Sequence, residues 1–190
     1  MKRQVKKYEL TDETNEQGLF RIKALRDFGG VKEGDLGGFI ESEDNLSHKN
    51  NAWVFDNALV SDNARVFGNT RVYDNALVHG NALISDNARV YGDAQVHDNA
   101  RVSGNARVFD NTRVFGNALI SGIMRSDGYA FIAVPCSDGL VRVIAGCRYF
   151  TFEEAYDHWN KTRKGTLLGD ETMIILNMMN EMVKLKGYSG

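Results

Sequence analysis

From Ala52 to Asn117 the chain repeats one six-residue pattern eleven times without a break, and no other feature restricts its folding so severely. The unit reads Ala-x-Val-x-Asp/Gly-Asn, as in Ala58-Leu59-Val60-Ser61-Asp62-Asn63 and Ala100-Arg101-Val102-Ser103-Gly104-Asn105. A twelfth unit opens at Ala118 and decays after Gly122. Ala and Val are two residues apart, so on a strand they point to the same side. One is small and the other β-branched, which suits the inside of a narrow tube. The Asp/Gly-Asn step tolerates positive φ and turns the chain, and stacked Asn side chains can hydrogen-bond along the axis. A strand and a turn every six residues predict an all-β solenoid. The single proline, Pro135, lies outside the repeat, as continuous strand stacking requires.

The pattern divides the chain into three segments. Residues 1–51 read as an N-terminal β cap and first irregular coil, 52–122 as the repeat body, and 123–190 as a C-terminal hairpin with two helices. Solenoids need such caps, because a stack of coils leaves open sheet edges at both ends. Tyr8–Leu10 and Leu19–Leu25 read as a strand pair, with Phe20, Ile22 and Ala24 alternating with Arg21 and Lys23. Val31–Asn51 is glycine-rich and winds into the first coil. Ala130–Val134 and Leu140–Ala145 flank a turn at Pro135–Gly139. Thr151 and Glu154 form a capping box for a helix carrying Phe152, Ala155, Tyr156 and Trp159. Asp170 is read as the cap of a second helix that ends before Gly187. Its apolar residues Met173, Ile174, Leu176, Met178, Met179, Met182 and Leu185 span a face wider than one hairpin needs; core packing is the first reading and an adaptable Met-rich interface the second.

Counted from Val, the unit is Val-x-Asp/Gly-Asn-Ala-x, which resembles the hexapeptide repeat of the left-handed parallel β-helix. The resemblance implies three units per triangular coil of 18 residues and a left-handed winding. Coils stacked about 4.8 Å apart make the repeat a rod on the order of 19 Å long. The entry Gly34-Asp35-Leu36-Gly37-Gly38-Phe39-Ile40, with Asn45-Leu46-Ser47 and Ala52-Trp53-Val54, is similar to that of YdcK-like hexapeptide-repeat proteins, common in prophages; the resemblance covers roughly residues 8 to 122. The tail around Ala145-Gly146-Cys147-Arg148 resembles a module of phage-type members.

With 18 residues per coil, positions 18 apart form columns. One face carries Phe55, Tyr73, Tyr91 and Phe109 beside Trp53, Arg71, Arg89 and Arg107. The other two faces mix Leu, Gln, Arg, Ser, His and Phe. An aromatic column next to guanidiniums offers stacking and cation–π contacts, and such residues are enriched at binding hot spots. Trp53, Phe55, Arg71, Tyr73, Arg89, Tyr91, Arg107 and Phe109 are therefore the candidate partner-binding residues. Plain strand-to-strand stacking of like residues is the competing account.

The function implied is that of a non-catalytic binding or scaffold protein. It would self-associate as a dimer or trimer and bind a host or viral macromolecule, one version being inhibition of a host defence complex. The enzyme alternative comes from the resemblance: hexapeptide β-helices scaffold acyltransferases, which use acyl-CoA, a histidine base and projecting loops. Here the only repeat histidines are His79 and His97, and no loops project between Ala52 and Gly122. No cofactor is expected outside that alternative, and no metal, since the column of His79 and His97 ends in Ser61 and Phe115. His48 and His158 are assigned no role, and Asp35 with its glycines does not match a phosphate loop. A net charge of −2 gives no field toward nucleic acid, and Asp56, Asp74 and Asp110 offset the arginines. No apolar run suits a signal peptide or a membrane span, so a cytoplasmic location is expected. Cys136 and Cys147 read as reduced thiols, with a bridge across the hairpin as the alternative.

Overall fold

The structure is a computed structural model that describes residues 6–116, 118–136, 139–146 and 148–185. The repeat folds as a β-solenoid of about four coils. Each unit supplies one strand, of two residues except for Arg101–Gly104, and strands 18 residues apart pair in parallel: Arg71 with Arg89 with Arg107, Leu59 with Leu77 with Gln95, Arg65 with Leu83 with Arg101. Three faces result. One is a four-stranded sheet of Trp53–Val54, Arg71–Val72, Arg89–Val90 and Arg107–Val108. Each of the other two is extended by a cap to seven strands.

The inward assignments hold. Ala52, Val54, Ala88, Val90 and Val102 are completely buried in one continuous core. The turns are made by residues in the left-handed region, Asp62, Asp74, Asp86, Asp98 and Asp110 alternating with Gly68, Gly80, Gly92, Gly104 and Gly116. Asn side chains form ladders, Asn51 to Asn69 to Asn87 and Asn63 to Asn81 to Asn99, with N–O distances of 3.1–3.3 Å. A second ladder joins Asp to Gly. The carboxylates of Asp62, Asp74, Asp86 and Asp98 accept from the backbone N–H of Gly80, Gly92, Gly104 and Gly116 one coil on, at 2.8–3.0 Å.

Along the rod, the outward strand residue and the residue after Val each donate a backbone N–H to a carbonyl of the following coil, as Trp53 does to Thr70 and Tyr73 to Val90, while alanine N–H groups close their own turns, as Ala64 does onto Ser61. The N-terminal end therefore presents unpaired carbonyls, and the cap supplies a donor to each face. Phe39 and Glu41 donate backbone N–H groups to Ala58 and Val60. Ser47 and the Asn45 amide serve Val66 and Ala64. On the four-stranded face the donor is the buried Lys7 ammonium, 2.6 Å from the Ala52 carbonyl. Burial, with the nearby Arg26 charge, lowers the Lys7 pKa to about 8.

The cap strands are Tyr8–Thr14, Phe20–Ala24 and Leu36–Ile40. The third was not expected, because Gly37 and Gly38 disguise it. They are there for clearance: a Cβ on either would lie 2.5 Å from the Val54 or Ala58 carbonyl oxygen. At the other end Leu119–Met124 pairs parallel with Arg101–Gly104, and Ala130–Pro135, Val141–Ala145 and Arg148–Phe150 continue that face antiparallel. Ile132, Val134 and Ile144 plug the core. Cys136 is a free, half-buried thiol 2.9 Å from the Tyr149 hydroxyl; Cys147 lies outside the described residues.

Helix α1, Phe152–Arg163, starts on the expected capping box. Helix α2, Leu167–Leu185, starts three residues before Asp170. Asp170 is not its cap: the Thr166 hydroxyl accepts from Gly169 N–H, and the Asp170 amide is already bonded to the Thr166 carbonyl. The helix end expected before Gly187 lies outside the described residues. Among the described residues no helix is long and apolar enough to cross a membrane.

Candidate functional site

The four-stranded face owes its columns to the coil period. Outward strand positions 71, 89 and 107 carry arginine, and two residues later each strand delivers an aromatic ring to the corner. Tyr73 and Tyr91 stack with centroids 4.7 Å apart and planes 2° from parallel, and Phe109 stacks on Tyr91 at 5.5 Å. Phe55 instead meets Trp53 edge-on at 6.5 Å. Seven of the eight expected residues thus lie together at the surface: Phe55, Arg71, Tyr73, Arg89, Tyr91, Arg107 and Phe109.

Trp53 is the correction. It occupies an outward strand position but is only 1% exposed. The N-terminal cap folds over it, with Phe28 at 5.3 Å and Tyr8 at 6.1 Å. Read as part of the strip, it belongs to the core. The large ring seals the first coil, where no preceding coil can cover it.

The arginines stand on adjacent strands, with the turn carboxylate of Asp56 on the same hollow as Arg71 and Arg89. Among the described residues Arg89 and Arg107 have no ion-pair or hydrogen-bond partner, and Arg71 reaches only the Gly29 carbonyl at 3.4 Å. Like charges on neighbouring strands oppose each other, so the arginine column draws no stability from its charges. Partial burial raises the pKa of the Tyr73 and Tyr91 hydroxyls, and Arg89 and Arg107 pull in the opposite direction. The surface is also concave in two places. A hollow of about 210 Å³ is lined by Phe55, Asp56, Arg71, Tyr73 and Arg89. One of about 130 Å³ lies where Arg107 and Phe109 meet Tyr129, Ile132 and Ile144 of the C-terminal cap.

His79 and His97 stack at 5.0 Å, and His97 stacks on Phe115 at 5.6 Å. Their acidic neighbours are turn residues: Asp62 is 3.8 Å from His79 and Asp98 is 3.3 Å from His97. The Asp98 carboxyl is held below its ordinary pKa by the Gly116 N–H first and His97 second, so it is occupied by the turn. Among the described residues no group of three or more His, Cys, Asp or Glu side chains could hold a metal ion.

Two polar features were not foreseen. Lys7 is one. The other is Arg125, 5% exposed, which pairs with Asp127 at 2.7 Å and donates to Thr172 of α2 at 2.9 Å. The Arg125 guanidinium lowers the Asp127 pKa to about 2. Neither has a sequence signature, because Lys7 and Arg125 are buried by partners 45 and 47 residues away, Ala52 and Thr172.

Coils, stacked corners and one strip between two caps define a β-solenoid repeat protein. The family model described as YdcK Beta solenoid repeat matches residues 82–98 and 100–114, within the repeat body. No curated protein matches the chain.

Proposed function

We propose that this chain is a non-catalytic β-solenoid scaffold that self-associates and docks a host or viral macromolecule through its Arg–aromatic strip. The solenoid is taken as left-handed, the winding its repeat resembles. The tail resembles a module of phage-type members, so a phage- or prophage-encoded protein of the host cytoplasm is the proposed setting, with inhibition of a host defence complex as one version of the role. The observation that carries the reading is the pair of guanidiniums, Arg89 and Arg107, with no contacting ion-pair or hydrogen-bond partner among the described residues, beside the Tyr73–Tyr91–Phe109 stack. A protein interface would satisfy those donors and cover those rings, and buried anchors of this kind each contribute about 2 kcal/mol or more.

The test is the double variant Tyr73→Ala/Tyr91→Ala. Both rings point outward, so the fold should survive, as judged by far-UV circular dichroism. Pull-down from host lysate and light scattering should then show loss of the partner or of the oligomer. A folded double variant that keeps both would reduce the strip to stacked decoration.

A further inference from the structure

Helix α2 is apolar on two opposite sides. Thr172, Ile175, Leu176, Met179 and Val183 pack toward the cap sheet and α1. Asn177 turns toward α1, where its side chain accepts from the Tyr156 hydroxyl at 2.8 Å. The side opposite the core carries Leu167, Ile174, Met178, Met182 and Leu185, exposed by 73, 66, 45, 46 and 87%. Helical spacing puts these five within one stripe about 27 Å long. A helix apolar on both sides is one that is covered on both sides, and a contiguous exposed patch of this kind marks an association surface.

We infer that the stripe is covered by the same stripe of a second copy of this chain, the two α2 helices running antiparallel about a two-fold axis near Leu176. The spacing selects this occupant. Positions 167, 174, 178 and 185 are symmetric about 176, so reversing the helix brings Ile174 against Met178 of the second copy and Leu167 against Leu185 at both ends. Charge agrees with spacing. Asp170 stands in the first turn and Lys184 in the last, on the same flank, so an antiparallel pair sets each Lys184, which bridges Glu181 of its own helix at 2.9 Å, near the other copy's Asp170. The helix dipoles also oppose, whereas a parallel pair would place Asp170 against Asp170 and Lys184 against Lys184. An isologous contact of this sort closes at two subunits. It leaves the Arg–aromatic strip available, so it does not depend on the function proposed for that strip.

The test combines mass with orientation. Light scattering across the micromolar range should give a dimer for the wild type. Ile174→Glu/Met178→Glu should give a monomer with an unchanged far-UV spectrum, since both side chains already face water. In a Cys136→Ser/Cys147→Ser background, Leu167→Cys should cross-link under oxidation only when mixed with Leu185→Cys. A wild-type monomer, a trimer, or a dimer that survives Ile174→Glu/Met178→Glu would overturn the inference. Self-linking of Leu167→Cys alone would overturn the antiparallel arrangement. A dimer lost in Tyr73→Ala/Tyr91→Ala but kept in the helix variant would move association to the strip.

Discussion

Gly80 and Gly116 stand in the same corner column and have nearly the same backbone, with φ of 68° and 65°. Each donates its N–H to an aspartate one coil back, at 2.8 and 2.9 Å. They differ in the coil stacked above them. A Cβ on Gly80 would lie 2.8 Å from the Asp98 nitrogen and 3.2 Å from its Cα, whereas one on Gly116 meets nothing within 4 Å. Alanine at either site carries the left-handed penalty of about 1–2 kcal/mol. At Gly80 the added methyl also presses on backbone, which yields only if two coils separate, and overpacking of this kind adds about 1–3 kcal/mol. Gly116→Ala should therefore lose about 1–2 kcal/mol and Gly80→Ala about 2–5 kcal/mol, measured by urea unfolding at one protein concentration. Gly68→Ala and Gly92→Ala should follow Gly80→Ala, since their methyls would lie 2.8 and 2.9 Å from Asp86 and Asp110 nitrogens. Equal losses at all four sites would refute the argument that coil stacking, rather than turn conformation, demands these glycines.

Val90→Asp should prevent stable folding, because it buries a charge without a partner; an unchanged thermal midpoint would contradict its inward place. Ala88→Leu should cost about 1–3 kcal/mol by overpacking, read from the same melts. His79→Ala and His97→Ala should leave partner binding intact, and acetyl-CoA turnover abolished by either change would revive the acyltransferase alternative. Lys7 gives a pH signature. Its amine binds a proton more weakly in the folded chain, near pKa 8, than in the unfolded chain at 10.5. The unfolded state therefore holds more protons between those values, and stability rises with pH there, by up to about 2 kcal/mol from pH 8 to pH 10. The neutral amine still donates to Ala52. Lys7→Met should abolish that rise in denaturant titrations at the two pH values, and an identical rise in the variant would refute the assignment.

The body of the fold was legible because its physics is periodic. Two inward residues per unit and a turn pair set both the strands and, through the 18-residue coil, the strip. What escaped reading was whatever depends on the ends. Trp53 has the sequence context of Arg71 and Arg89, and only the cap packed over it makes it core. The strand Leu36–Ile40 hid behind two glycines whose reason is clearance from carbonyls that another segment provides. Asp170 carries the right residue type for a cap, but Thr166 does the capping, since Gly165 with φ of 76° reverses the chain just before it. The wide apolar set of α2 was visible; its division between core and surface required knowing which side the sheet covers.

Asp and Gly alternate from one unit to the next, while three units close a coil. An odd number of units per turn brings opposite members of the alternation into register, so Asp62, Gly80, Asp98 and Gly116 succeed one another along the axis. Where the alternation fails, at Asp56 and Asp74, the amide contact lengthens to 3.4 Å. The length of this rod consequently has a parity. Deleting one coil would seat Asp98 directly on Asp62, carboxylate beside carboxylate, with no glycine amide between them. Deleting or inserting two coils preserves every corner. A lineage that lengthens or shortens this rod by duplication meets less resistance in even steps than in odd ones.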